Sequence, residues 1–207
     1  MIAVIQTIPA RLERARRQAK EFGAPCDIYV DEKMEGTRIA FVKSLQRFNS
    51  QTEYRLHMQD DLILSDGLAD YAKAMEEKCR KNGWEHMTFY ANARKGLRDK
   101  YTAGENIVVE KPRTYTSLLC TLMSPRLVKA LIDGADLTNT AWQADDEYAA
   151  EVMKKSGIAV RFHLPNLVQH DVSVRSTVGN TGTKDRTSNT FDPNFITNWT
   201  KNEQATR

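Results

Sequence analysis

Apolar positions along the chain alternate between strand-like runs and helical spacing. "IAVIQT" at 2–7 is a short continuous apolar run and predicts a buried strand; Pro9 then suits the first turn of a helix reaching to about Phe22. Gly23 and Pro25 stop that helix, and "CDIYV" at 26–30 predicts a second strand. Phe41, Leu45 and Phe48 recur on one face of a helix over 37–48. Residues 54–59 predict a third strand that delivers Asp60 and Asp61 at its C-terminal end.

Helical spacing returns over about 66–81 with Leu68, Tyr71, Ala72, Met75 and Cys79, and "NG" at 82–83 ends it. "HMTFYA" at 86–91 predicts a strand, and 92–105 a polar, glycine-containing loop long enough to suggest function. Strands near 106–110 and 116–123, helices at 125–133 and 145–157, and a last strand at 158–164 complete the pattern. Strands alternating with helices imply an α/β domain over 1–171, with a mixed, mostly parallel sheet flanked by helices. From Val172 the composition turns to Ser, Thr, Asn, Gly and basic residues, so 172–207 is expected to be a C-terminal tail or lid. Ligands of such folds bind beyond the C-terminal ends of the strands, where the Asp pair falls.

Composition narrows the class. Apolar and charged fractions of 41% and 28% are those of an ordinary globular protein. No apolar run approaches the ~20 residues that cross a bilayer. The first segment puts apolar residues before basic ones, the reverse of a secretory signal, so a cytoplasmic location without membrane contact is expected. Cys26, Cys79 and Cys120 are widely spaced and read as small core residues rather than a disulfide or zinc framework. A net charge of +3 is compatible with an anionic ligand or nucleic acid. Basic residues cluster at 11–20 and 93–100, for which a solvated helix face and a loop are the plain reading.

Three clusters carry candidate chemistry. Adjacent carboxylates in "LHMQDDLILSDGL" invite a hard divalent cation, Mg²⁺ or Mn²⁺, which takes oxygen ligands and completes its shell with phosphates. Ser65 or Asp66 suffices to cap the next helix, so capping leaves Asp60 and Asp61 unexplained. "WQADDEY" places Asp145, Asp146 and Glu147 at a helix start, where one acid could serve as a general base, with Trp142 as an apolar wall. His170, in "LPNLVQHDVS", follows the last strand and would reach the same sheet edge; an imidazole there suits Mn²⁺ better than Mg²⁺. No glycine pattern fits a dinucleotide fingerprint or P-loop, and no G-x-S-x-G is present.

In this order the clusters resemble those of GT-A fold glycosyltransferases. "LHMQDDLILSDGL" looks like that family's metal motif, with Gln59 where an acid is common; "WQADDEYAAEVMKKSG" looks like its x-E-D helix, and "LVQHDVSVRSTVGN" like its terminal His segment. The resemblance implies a metal-dependent transfer from a nucleoside-diphosphate sugar, with UDP the expected nucleotide, to an acceptor hydroxyl, with inversion. Asp61 and His170 would hold the cation, Asp60 would reach the ribose, and Asp146 would be the base. Thr7, Pro9, Arg11 and Asp31 match where the family grips base and ribose, and Arg38, with Lys43, could reach the diphosphate. Arg175, Ser176 and Thr177 could form a lid that excludes water. The acceptor is expected to be a saccharide or, given the basic clusters, a hydroxymethylated pyrimidine in phage DNA, in a host-cell cytoplasm. Two other readings stay open: a metal-dependent nuclease or phosphohydrolase using the same acids, and a non-catalytic module binding a polyanion.

Overall fold

The run 2–7 is buried because it becomes an inner strand. The structure is a computed structural model and describes residues 1–92, 95–112, 118–138, 144–174 and 187–198. β1 (Ile2–Thr7) lies between β2 (Asp27–Val30) and β3 (Arg55–Gln59), parallel to both. β3 pairs antiparallel with β7 (Cys120–Met123), which pairs antiparallel with β5 (His86–Thr88). β5 runs parallel to β8 (Val160–His163), and β6 (Ile107–Glu110) closes the far edge antiparallel to β8. The order is β2-β1-β3-β7-β5-β8-β6, five strands running one way and β6 and β7 the other. This is the mixed, mostly parallel sheet the sequence predicts.

Side chains alternate across the strands, so each face has its own core. α1 (Leu12–Phe22) and α3 (Leu68–Asn82) cover one face, packing Ala15, Phe22, Leu68, Ala72 and Met75 against Ile5, Leu56, Met58 and Leu122. α2 (Thr37–Arg47), α5 (Pro125–Asp133) and α6 (Asp145–Lys155) cover the other, with Phe41, Leu45, Leu127, Leu131 and Val152 against Val160 and Phe162. On β3, Arg55 and His57 point to this second face, where His57 meets Phe41 edge-on with ring centroids 4.9 Å apart. Burial pushes His57 down to about 3, which keeps it a neutral core residue. The three cysteines are free thiols, with Cys79 and Cys120 in the core.

Several elements differ from expectation. The predicted loop 92–105 contains α4 (Lys95–Thr102), whose apolar contacts come from Leu97 and Tyr101 alone, one per turn and too few to show a period. Of the strand expected at 116–123, residues 118–123 are described and form a strand over 120–123, while 113–117 lie outside the described residues. Neither Ser65 nor Asp66 caps α3; Gly67 does, at φ 78. The positive φ favours glycine, and a β-carbon there would come within 3.2 Å of Ile196 Cγ2, a tight contact that the isoleucine would have to yield to.

Two three-residue strands form a second, antiparallel sheet. β4 (Leu62–Leu64) pairs with β9 (Val168–His170), setting Leu62 opposite His170. The described part of the C-terminal segment, 187–198, packs onto the domain. Asn166 Nδ2 donates to the Ala91 carbonyl and to Ser188 Oγ, each at 2.7 Å, and its backbone N–H donates to the Thr190 carbonyl at 3.0 Å. Ile196 and Phe195 join the α1/α3 core. Asn166 is fully buried, so Asn166→Ala strips partners from buried groups, and a loss of about 1–3 kcal/mol is expected. Chemical denaturation measures that loss, and amide exchange at 188–192 should accelerate more than exchange in β1.

Candidate active site

β1, β2, β3, β5 and β8 all end at one edge of the sheet, and most of the sequence-predicted residues sit there. Thr7, the last residue of β1, donates from Oγ1 to Asp60 Oδ2 at 2.5 Å. Arg11 Nη1 donates to Asp60 Oδ1 at 3.0 Å and stands 3.8 Å from Asp61 Oδ2. His170 Nε2 lies 3.3 Å from the same Asp61 oxygen. Asp31 joins from β2 through its backbone N–H, which donates to the Thr7 carbonyl at 2.8 Å; its own carboxylate accepts from the Glu35 N–H. Both carboxylates of the 60–61 pair are buried, at 4% and 6% exposure. Burial pushes Asp60 up, while the Thr7 hydroxyl and Arg11 charge pull it back toward the ionised form.

Three further residues, Arg14, Asp171 and Gln18, complete this network. Arg14 Nε donates to the Asp60 carbonyl at 2.7 Å, and its Nη2 to Asp171 Oδ2 at 2.6 Å. The Asp171 N–H in turn donates to the Asp61 carbonyl at 2.8 Å. Burial would raise Asp171, but hydrogen bonds from Ser173 and Arg14 outweigh it and hold the carboxyl below its usual range. Gln18 Nε2 donates to the Gln59 carbonyl at 2.7 Å and Gln18 Oε1 accepts from the Leu62 N–H at 3.3 Å. Arg11, Arg14 and Gln18 are spaced i, i+3, i+7, so one face of α1 and its preceding turn serves the site. The basic cluster at 11–20 is therefore divided: Arg11 and Arg14 turn inward, while Arg16, Arg17 and Lys20 are exposed. That correction to a uniformly solvated face was available from the spacing.

β3 also connects the pair to α6. Gln59 Nε2 donates to Asp145 Oδ2 at 3.0 Å. Asp145 is buried at 7% exposure, and its Oδ1 accepts from the Asp146 N–H at 3.1 Å. Burial and the neighbouring Asp146 charge push Asp145 up to about 7. Asp146 is half-buried, accepts from the Glu147 N–H at 2.9 Å, and is also raised by burial.

Other predicted residues lie elsewhere. Pro9 is exposed and opens the 3₁₀ turn Pro9–Arg11. Arg38 is buried on α2, with its charge felt by the Tyr148 hydroxyl of α6, and Lys43 pairs with Glu35. Trp142, Arg175, Ser176 and Thr177 lie outside the described residues. A hollow of about 970 Å³ lined by Tyr54, Glu85, Ser124 and Arg126 opens where β3 and β5 begin, at the opposite edge. Its Arg126 is bound by Glu85 and its Lys129 by Asp133, so it offers little charge to a ligand.

Of the four histidines, His57, His86 and His163 are core residues, pushed by burial to about 3, 3 and 4. His170 is the one beside the acid pair. Adjacent octahedral ligands at about 2.1 Å from an ion are separated by about 3 Å, close to the 3.3 Å between Asp61 Oδ2 and His170 Nε2. The donor set therefore fits a divalent cation. Among the described residues no group of three or more His, Cys, Asp or Glu is placed to hold one, so the remaining ligands would have to be phosphate or water.

The fold is an α/β domain built on a mixed, mostly parallel seven-stranded sheet, and its polar side chains converge at the carboxyl edge of that sheet. No family model matches the chain, and no curated protein matches it in sequence. Among solved structures it is similar to a chain described as a glucose-1-phosphate thymidylyltransferase from Bacillus anthracis, crystallised with sucrose. The TM-score is 0.48 and the identity 11%, covering 81% of this chain and 69% of that one. No helix among the described residues is long and apolar enough to cross a membrane.

Asp145 makes stability depend on pH. A carboxyl raised in the folded state binds its proton more tightly there than in the unfolded chain, so stability falls as pH rises from about 4 to about 7. Asp145→Asn removes that cost, on the order of a few kcal/mol by linkage. Melting curves at pH 8 should show the variant above the parent, with the gap closing at pH 4.

Proposed function

We propose that the protein transfers a sugar from a nucleoside-diphosphate donor to an acceptor hydroxyl. The observation that supports this reading best is the meeting of Asp61 and His170 at 3.3 Å, beside a buried Asp60 and two arginines, at the sheet edge. Carboxylate, imidazole and guanidinium together suit one ligand: a diphosphate that brings phosphate oxygens to a divalent cation.

When bound, the cation would be held by Asp61 and His170, and it would neutralise charge developing on the departing diphosphate. Imidazole ligation favours Mn²⁺ over Mg²⁺. Arg11 supplies a second positive charge at that place, and its contact with Asp60 keeps the guanidinium aimed there. Thr7, Asp31 and Asp60 line the ends of adjacent strands and would bind the ribose and base. The acceptor oxygen attacks the anomeric carbon while the carbon–phosphate oxygen bond breaks. An acid of the first turn of α6 takes the acceptor's proton, which corresponds to inversion.

A two-cation phosphohydrolase fits less well. Asp60 is held by Thr7 and Arg11 and Asp145 by Gln59, so these acids do not face a shared metal pair. For the acceptor, the inward turn of Arg11 and Arg14 weakens the case for DNA that rested on the basic cluster.

Thermal melting with UDP, UMP and GDP, each with and without Mn²⁺, tests the reading. One nucleoside diphosphate should stabilise the protein in a metal-dependent way, by about 2.7 kcal/mol at a hundredfold excess over Kd, and Asp61→Ala should abolish the effect. Absence of stabilisation by every nucleotide overturns the proposal. Mass analysis of saccharides and of hydroxymethylated DNA after incubation with sugar nucleotides then identifies the acceptor.

A further inference from the structure

The first turn of α6 presents Asp145, Asp146 and Glu147, and the resemblance to GT-A glycosyltransferases implies Asp146 as the base. We propose that Asp145 instead receives the acceptor's proton, and that Gln59 is the positioning residue that holds it toward the sugar site; this rests on the transferase reading above.

Gln59 connects the end of β3 to the first turn of α6. Its backbone is fixed on both sides, the N–H donating to the Leu119 carbonyl at 2.9 Å and the carbonyl accepting from Gln18 at 2.7 Å. It directly precedes Asp60, so a side chain anchored there has a fixed place relative to the acid pair. Its amide N–H₂ donates to Asp145 Oδ2 at 3.0 Å. A carboxylate at position 59 would set two acids about 3 Å apart, where like charges cannot both ionise. The amide avoids this and supplies a donor to the charged form. That gives a physical reason for the glutamine in this motif.

Asp146 lacks such a link. Its described partner is the Glu147 N–H of its own turn, and it stands half-exposed. Asp145 is buried and tied to the strand that carries Asp60. Of the charged groups near Asp145, Asp146 and Glu147 share its turn and Arg38 of α2 acts at Tyr148 of the same helix, while Gln59 reaches it from β3 without a charge. Burial raises Asp145 to about 7, which suits a group that must accept a proton near neutrality and remain a competent base. In the step itself the acceptor O–H gives its proton to Asp145. The oxygen bonds to the anomeric carbon, and the electron pair of the broken bond leaves on the diphosphate.

Two measurements test the inference separately from the transferase reading. The first is carboxyl NMR titration of the empty protein, which needs no substrate. Asp145 should titrate near neutrality, and Gln59→Met, which removes the donor, should raise its midpoint by about one pH unit. An ordinary midpoint, or one unmoved by Gln59→Met, overturns the positioning role. The second is transfer kinetics with the donor found by melting. Asp145→Asn should lose about 10²–10⁴-fold in rate while keeping metal-dependent nucleotide binding, and Asp146→Asn should change the rate little. In Gln59→Met the rising limb of the pH–rate profile should move upward with the NMR midpoint, with the rate recovering at high pH. Loss in Asp146→Asn alone, or in both variants, overturns the assignment of the base. If the parent binds no nucleotide and moves no sugar, the transferase reading fails; the NMR result still decides whether Gln59 controls Asp145.

Discussion

Two adjacent buried carboxylates are unfavourable by themselves, and the whole carboxyl edge of the sheet is organised around keeping Asp60 and Asp61 in place. A buried charge is tolerable only when it is paired and hydrogen-bonded. Thr7 and Arg11 satisfy the Asp60 carboxylate, His170 and Arg11 flank Asp61, and Arg14 with the Asp171 N–H holds the backbone of the two residues. These partners come from β1, from α1 and the turn before it, and from β9, so the pair cannot be positioned until the sheet and its helices have assembled.

The small β4–β9 sheet takes its meaning from this. Two three-residue strands bury little apolar surface, yet they set the register that places His170 opposite Leu62 and beside Asp61. The same segment is anchored from below through Asn166 and Gln169, which bind Ser188 and Thr190. The C-terminal stretch 187–198 thus contributes to the site indirectly, by fixing the strand that carries the histidine.

Asp145 carries a cost in stability that the role proposed for it would explain. A buried carboxyl that must share space with Asp146 destabilises the folded state when ionised, and an amide there would relieve the strain. Such locally unfavourable choices concentrate at functional sites because stability elsewhere offsets them. The paired cores on the two faces of the sheet supply that stability, and they keep His57, His86 and His163 neutral and out of the chemistry.

The amino-acid sequence by itself determined the alternation of strands and helices, because the apolar periods of β1, α2, α3 and α5 are properties of neighbouring residues. It also placed Asp60 and Asp61 at the end of β3, since chain direction follows from the order of elements. α4 escaped notice because Leu97 and Tyr101 are its only inward apolar residues, and β4 and β9 because three residues are too few for a period. The tertiary structure alone decided that Arg14 reaches Asp171, that Gln59 meets Asp145 and that His170 faces Asp61. Those contacts join residues 157, 86 and 109 positions apart, as the difference 170 − 61 shows for the last. No local pattern encodes a distance of that kind; it is set by which strands pair, in which register, and by what the packed helices then bring to the edge.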